Sequence, residues 1–303
     1  MKWKNVIYAP IGWALKGLAL MPWKVLYFHA DIIYLIIYKI IKYRVKVVRQ
    51  NLAECFPEKD EQWRHDVERQ FYRHFADYFV ETVKLLHISD DDMRRRLVFK
   101  NVEVIEDAIR SGQGIVLYAA HYANWEWITS VTLWFQDDTF DHGAIMGQVY
   151  QPLENEWFDR FFLNLRERFR TKCFTKQAIL REMLTRRREG RQMAIGFISD
   201  QHPIVNHENY IRLFLNHPTA IITGPEAIAR KLNTRAAYFD IRKLSRGHYE
   251  CTLIPMSDNC ADTEPHQLTD RFTDILEKRI KAEPAYWLWT HKRWKRPVSL
   301  PQS

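Results

Sequence analysis

Only four cysteines occur in 303 residues, at Cys55, Cys173, Cys251 and Cys260, and no two share a C-x-x-C spacing. That excludes a zinc ribbon and a disulfide-stapled scaffold; the scatter fits reduced thiols in a cytoplasmic setting. H-E-x-x-H is missing, and no His/Cys cluster supplies third and fourth ligands, so a metal centre is not indicated. No RNP-like, OB-like or helix-turn-helix signature is visible, which disfavours a nucleic-acid binder despite arginine runs among aromatic rings. After residue 50 there is no internal repeat, low-complexity tract or linker. No uncharged run reaches the ~18 residues of a confident membrane-spanning helix, and no A-x-A-like cleavage site follows the apolar amino end.

What is present is a chain 47% hydrophobic and 27% charged, enough for one large core or two modest ones. Aromatic residues make up 14%, with 11 Trp and 14 Tyr, amphipathic rings that suit a body meeting a membrane interface. The formal charge of +8 favours anionic partners: nucleic acid, acidic headgroups or an acidic carrier protein. Residues 5 to 49 are mostly apolar but are interrupted by Lys16, Lys24, His29, Asp31 and Lys39. Their longest candidate, Val25 to Ile41, would extend about 25 Å as a helix, short of a hydrocarbon core about 30 Å thick. With Trp3, Trp13, Trp23, Pro10, Pro22 and the basic Arg44, Lys46 and Arg49 nearby, the stretch reads as helices lying in a bilayer face, the basic cluster on the cytoplasmic side. A buried core hairpin is the alternative. The expected division is a membrane-associated segment over 1–50 and a catalytic domain over 51–303.

Beyond it, Trp63, Val67, Phe71, Phe75, Phe79 and Val83 recur every four residues and predict a long helix with these as its core face. A helix is expected over Val102 to Ser111, then a buried strand, GIVLYAA, over 114–120. Downstream follow a helix capped by Thr175 and ended by Gly190, a strand over 192–199, a helix opening at Pro225, and a strand TRAAYFDI paired with HYECTLI across Ser245 to Gly247. The alternation implies an α/β fold with a mainly parallel central sheet flanked by helices.

In such sheets the binding crevice lies beyond the carboxyl ends of the strands. His121 sits just past one such end and Asp200 just past another. The next stretch, NWEWITSVTLWF, looks helical, with Asn124 as N-cap and Glu126 in its first turn. An imidazole paired with a carboxylate is the apparatus for activating a hydroxyl in acyl transfer, and N–H groups at a helix start can hold an oxyanion. On spacing alone, H-x-x-x-x-E is equally a pair of polar groups closing a turn.

Longer segments bear on that choice. YRVKVVRQNLAECFP (43–57), GIVLYAAHYANWEW (114–127), VYQPLENEWFDRFFLNLRERF (149–169), FISDQ (197–201), FLNHPTAIITGPEAIARKLNTRAAYF (214–239) and AYWLWTHKRWKRP (285–297) run in the order found in the lipid A late acyltransferases, the lauroyl or myristoyl acyltransferases of the lysophospholipid acyltransferase superfamily. The chain resembles that family over most of its length. The resemblance implies an H-x-x-x-x-D/E site on His121, as general base, and Glu126, as its partner. It implies transfer of a fatty acyl group from a thioester, usually of acyl carrier protein, to a hydroxyl of a lipid A precursor at the cytoplasmic face of the inner membrane, with no metal or bound cofactor; a coenzyme A thioester as donor stays open. Asn124, Arg166, Arg168, Asp200 and Gln201 are then the substrate-binding candidates, although Arg166 and Arg168 are spaced so that at most one faces the crevice. Gln151 stands where many members carry arginine and Arg170 where they carry glycine. The loss of a guanidinium bears on the acceptor more than on the reaction, and leaves another amphiphile, such as an amino-acid lipid or a lysophospholipid, as the alternative. A carrier that holds lipid without transferring it is the non-enzymatic reading.

Overall fold

The computed structural model describes residues 3–140, 143–203 and 210–300. In chain order the elements are α1 (Trp3–Leu20), α2 (Trp23–Tyr34) continued by a π-helical turn to Ile40, α3 (Val45–Cys55), α4 (Glu61–Lys84), α5 (Asp90–Arg96), β1 (Leu97–Lys100), α6 (Glu103–Arg110) and β2 (Ile115–Ala119). A 3-10 helix (Trp125–Trp134) leads to β3 (Ile145–Tyr150), α7 (Glu156–Arg166), β4 (Thr171–Thr175), α8 (Ile179–Arg188) and β5 (Met193–Ile198). The hairpin β6 (Ile211–Phe214) and β7 (His217–Ala220) precedes α9 (Gly224–Leu232), β8 (Arg235–Ser245), β9 (His248–Ser257) and α10 (Gln267–Ala282). Seven strands form one sheet in the order β1-β9-β8-β2-β5-β3-β4; β8 and β9 run antiparallel as expected and the other pairs are parallel. Every residue of β2 is buried, so both faces of the sheet are covered there.

Two local expectations need correcting. Thr175 ends β4 instead of capping α8, whose first turn follows Ala178. Phe79 is 43% exposed, whereas Val67, Phe71, Phe75 and Val80 are buried. A row with strict four-residue spacing drifts by about 40° per step around a helix of 3.6 residues per turn, so it leaves the core face before the helix ends. The second row of α4 is polar: His74, Asp77, Glu81 and Lys84, spaced three, four and three residues apart, are all buried. Asp60 caps the helix by accepting from Trp63 N at 2.7 Å.

The amino-terminal helices are fastened to α4. Lys84 Nζ donates to Ala19 O (2.9 Å) and Met21 O (2.8 Å), and the Tyr27 hydroxyl to Glu81 Oε1 (3.0 Å). Leu26, Ala30 and Tyr34 form the inward face of α2. Outward it shows Val25, Phe28, Ile32, Leu35, Ile36 and Ile40, joined by Trp13 and Leu20 of α1. Among the described residues, no helix is long and apolar enough to cross a membrane.

Between β3 and β4 the backbone approach requires glycine at 147: an added Cβ would stand 2.8 Å from Lys172 O and 2.7 Å from the Phe174 ring. Gly147→Ala is therefore expected to destabilise the fold by about 1–3 kcal/mol in urea titration. Gly17→Ala, in α1 with nothing within 4 Å of the new methyl, is expected to be neutral or stabilising.

Candidate active site

Strand register brings the two strand-end residues together. Ala119 of β2 pairs with Ile198 of β5, and Ser199 N extends the ladder to Ala119 O at 3.1 Å. His121 and Asp200 each lie two positions further on, at the same height. His121 Nδ1 is 2.7 Å from Asp200 Oδ1, and His121 N donates to Asp200 Oδ2 at 3.1 Å. An ionised carboxylate only accepts, so Nδ1 carries the proton and Nε2 the lone pair. Gln201 Nε2 lies 3.3 Å from that second nitrogen, placed to donate to it. Burial pushes the Asp200 carboxyl upward, but the charge and ring N–H of His121, the Trp287 indole and the His121 backbone N–H outweigh it and hold Asp200 below the ordinary carboxylate range.

The loop between β2 and the 3-10 helix is held from two sides. From α4, His74 Nε2 meets Ala123 O at 3.2 Å, and Glu81 accepts from Asn124 Nδ2 at 2.7 Å and from the Tyr249 hydroxyl at 2.8 Å. Burial, and after it the charge of Lys243, keeps His74 neutral by depressing its pKa. Burial raises the Glu81 carboxyl above its usual value. From the carboxyl-terminal side, Tyr122 and Trp287 form a β-bridge, with Ala123 N donating to Tyr286 O (2.9 Å) and Leu288 N to His121 O (3.1 Å). Trp287 Nε1 donates to Asp200 Oδ2 at 2.8 Å. Ala123 takes a left-handed φ of 51° as the chain turns between these supports.

The expected pairing of Glu126 with His121 gives way to a different one. Glu126 accepts two bonds from Arg166, at 2.6 Å and 2.9 Å, while the ring nitrogen it was expected to hold is taken by Asp200. The reason is conformational: the reversal at Ala123 and the tight 3-10 turn carry Glu126 toward the end of α7, where a guanidinium fork fits a carboxylate in bidentate fashion. Burial depresses the Arg166 guanidinium, and Glu126 more than restores it, leaving it raised. Asn124 makes no capping bond and is buried on Glu81. Arg168 points away from the crevice, donating to Leu85 O at 2.6 Å and to Ile88 O. Arg168 lies past the end of α7, so the helical spacing assumed for the two arginines does not apply; Arg166 is bound to Glu126 and Arg168 to backbone carbonyls.

Beside Ser199, a cavity of about 320 Å³ opens between the sheet and the starts of α8 and α9; Ile179, Phe197, Ile222, Pro225 and Ile228 give it apolar walls. The residues that the sequence reading overlooked are His74, Glu81 and Trp287. For the first two a signal existed: ionisable residues at helical spacing on a helix with an apolar core row. Trp287 had none beyond its place in a resembling segment.

A family model described as bacterial lipid A biosynthesis acyltransferase matches residues 3–296, so the protein is an acyltransferase. Similar proteins agree. The lipid A biosynthesis palmitoleoyltransferase of Escherichia coli (strain K12) is 22% identical over 287 residues, 92% of this chain and 88% of that relative. The lipid A biosynthesis lauroyltransferase of the same organism is 24% identical over 266 residues, 87% and 83% of the two chains. A lipid A biosynthesis acyltransferase of Haemophilus influenzae is 23% identical over 79% of this chain and 72% of its own. The chain belongs to the bacterial lipid A biosynthesis acyltransferase family.

Removing the guanidinium while leaving the buried Glu126 carboxylate in place is expected to cost about 3 kcal/mol, the low end for a buried pair because Arg166 keeps some contact with solvent. Urea titration of Arg166→Ala checks this, and the double variant Arg166→Ala/Glu126→Gln is expected to recover most of the loss.

Proposed function

We propose that this enzyme moves a fatty acyl group from a thioester, carried by acyl carrier protein or coenzyme A, to a hydroxyl of a lipid A precursor, with His121 as general base. One observation carries the reading: an imidazole whose Nδ1 is bound to a buried carboxylate and whose Nε2 keeps its lone pair at the carboxyl edge of the sheet. The acceptor hydroxyl displaces the Gln201 amide from Nε2. Its oxygen attacks the thioester carbonyl carbon as its proton passes to Nε2, and Asp200 stabilises the resulting imidazolium. Collapse of the tetrahedral intermediate breaks the C–S bond, and the leaving thiolate takes the proton from Nε2. The enzyme ends as it began. The apolar cavity beside Ser199 takes the hydrocarbon chain, and Arg166, fixed by Glu126, presents positive charge to an anionic substrate.

The outward stripe of α1 and α2 supports a membrane-associated amino-terminal segment next to the acyltransferase domain. Large apolar side chains without cover, such as Trp13, Phe28 and Ile40, flanked by Lys16, Lys24 and Lys39, suit helices lying in the plane of an anionic bilayer, at the cytoplasmic face of the inner membrane. Gln151 is exposed and keeps a second reading in play, in which the acceptor is an amphiphile with less phosphate, such as an amino-acid lipid or a lysophospholipid.

His121→Ala is expected to abolish transfer from an acyl thioester while leaving the protein folded; near-normal turnover would reject the mechanism. Mass spectrometry of total lipids with and without the gene separates the acceptors, since only the first reading yields under-acylated lipid A. In flotation with vesicles of phosphatidylglycerol and phosphatidylethanolamine, Phe28→Glu/Ile32→Glu is expected to weaken membrane recovery at least tenfold, at about 1 kcal/mol or more lost per buried side chain. Unchanged recovery would remove α2 from the membrane face.

A further inference from the structure

We propose that Trp287 is a positioning residue for the general base: its indole N–H fixes Asp200 in the orientation that holds the His121 ring, and it weakens the hold of that carboxylate on the imidazolium. The inference rests on the reading of His121 as base. Asp200 Oδ2 receives two N–H donors, from His121 N at 3.1 Å and Trp287 Nε1 at 2.8 Å, which leaves Oδ1 to face Nδ1. One of those donors comes from the same residue as the imidazole, so it cannot by itself stop carboxylate and ring from turning together. Trp287 is the independent anchor. It is 3% exposed, wedged edge-on against Trp289 with ring centroids 4.8 Å apart, and its backbone bridges Tyr122, next to the base. So buried a ring touches no substrate; its effect on chemistry passes through Asp200.

Other charged or titratable groups also feel this pair. His291 is pushed down to about 4 by burial, with Asp200 opposing and Arg293, His121 and Lys295 adding to the depression. Arg293, 2% exposed, is pushed down to about 10 by burial against the attraction of Asp200. Tyr238 on β8 is raised well above its ordinary value by burial first. From pH 5 to 9, then, His291 and Tyr238 stay neutral and Arg293 stays largely cationic below its value, so a displaced acid limb of activity reports on the His121–Asp200 pair.

The test compares pH profiles of kcat/KM for wild type, Trp287→Phe, Trp287→Gln and Trp294→Phe, using a soluble acyl thioester and detergent-dispersed acceptor. Phenylalanine keeps an aromatic ring and deletes the donor. Asp200 then becomes more basic and holds the imidazolium to higher pH, so the acid limb is expected to move up by about half to one unit, with kcat down about tenfold and KM little changed. Glutamine keeps an N–H and deletes the ring, and its limb is expected to stay within about 0.2 units of wild type. Trp294→Phe removes an indole N–H that donates to Thr219 Oγ1 at 2.8 Å, away from Asp200, and is expected to leave the limb unmoved. A Trp287→Phe profile lowered equally at every pH, with its limb in place, overturns the inference and makes the residue structural. Should Trp287→Phe fail to fold, Trp287→Met, which also deletes the donor, takes its place: a raised limb supports the donor role and a limb left in place overturns it. Full turnover by His121→Ala would instead sink the proposed mechanism, whatever Trp287 does.

Discussion

The parallel register of β2 and β5 is the constraint on which the site depends. Because Ala119 faces Ile198, two residues of overhang at each strand end place an imidazole and a carboxylate at one level, close enough for a 2.7 Å contact. A slip of one residue would send both side chains to opposite faces of the sheet. The register is itself protected by packing: all five residues of β2 lie in the core between two covered faces, so a shifted pairing would force each side chain into space shaped for another.

Around that constraint the protein accumulates buried polar groups, which are costly unless each finds a partner. The polar row of α4 satisfies several of them. His74 supports the Ala123 carbonyl, Asp77 meets Lys243 and Arg246, Glu81 gathers Tyr27, Asn124 and Tyr249, and Lys84 closes the carbonyl ends of α1. One helix thereby ties together the amino-terminal helices, the loop that carries His121 and the β8–β9 turn. A network of this kind adds little net stability, but it permits few alternative arrangements of the groups it joins.

Two acids lie within reach of the same loop, and their surroundings divide the work. Asp200 is met by neutral N–H donors and a histidine, which keep it ionised and directed at the ring. Glu126 meets the permanent charge of Arg166, which saturates both of its oxygens. Either residue suits an imidazole by chemical type; position relative to the guanidinium decides which one serves it.

Much of this is legible in the sequence. The alternation of apolar strands with capped helices determined an α/β fold with a mainly parallel sheet, because side-chain periodicity is local and burial acts on it directly. The place of His121 and Asp200 at strand ends followed from the same pattern. The family itself was readable from segments that run in order. What the tertiary structure alone decided was partnership. His121 pairs with a residue 79 positions away and not with one five positions away, Trp287 reaches Asp200 across 87 positions, and Glu126 is claimed by Arg166 across 40. Sequence spacing describes neighbours along the chain, whereas these contacts are set by strand order and register, which bring distant segments together only once the sheet has assembled.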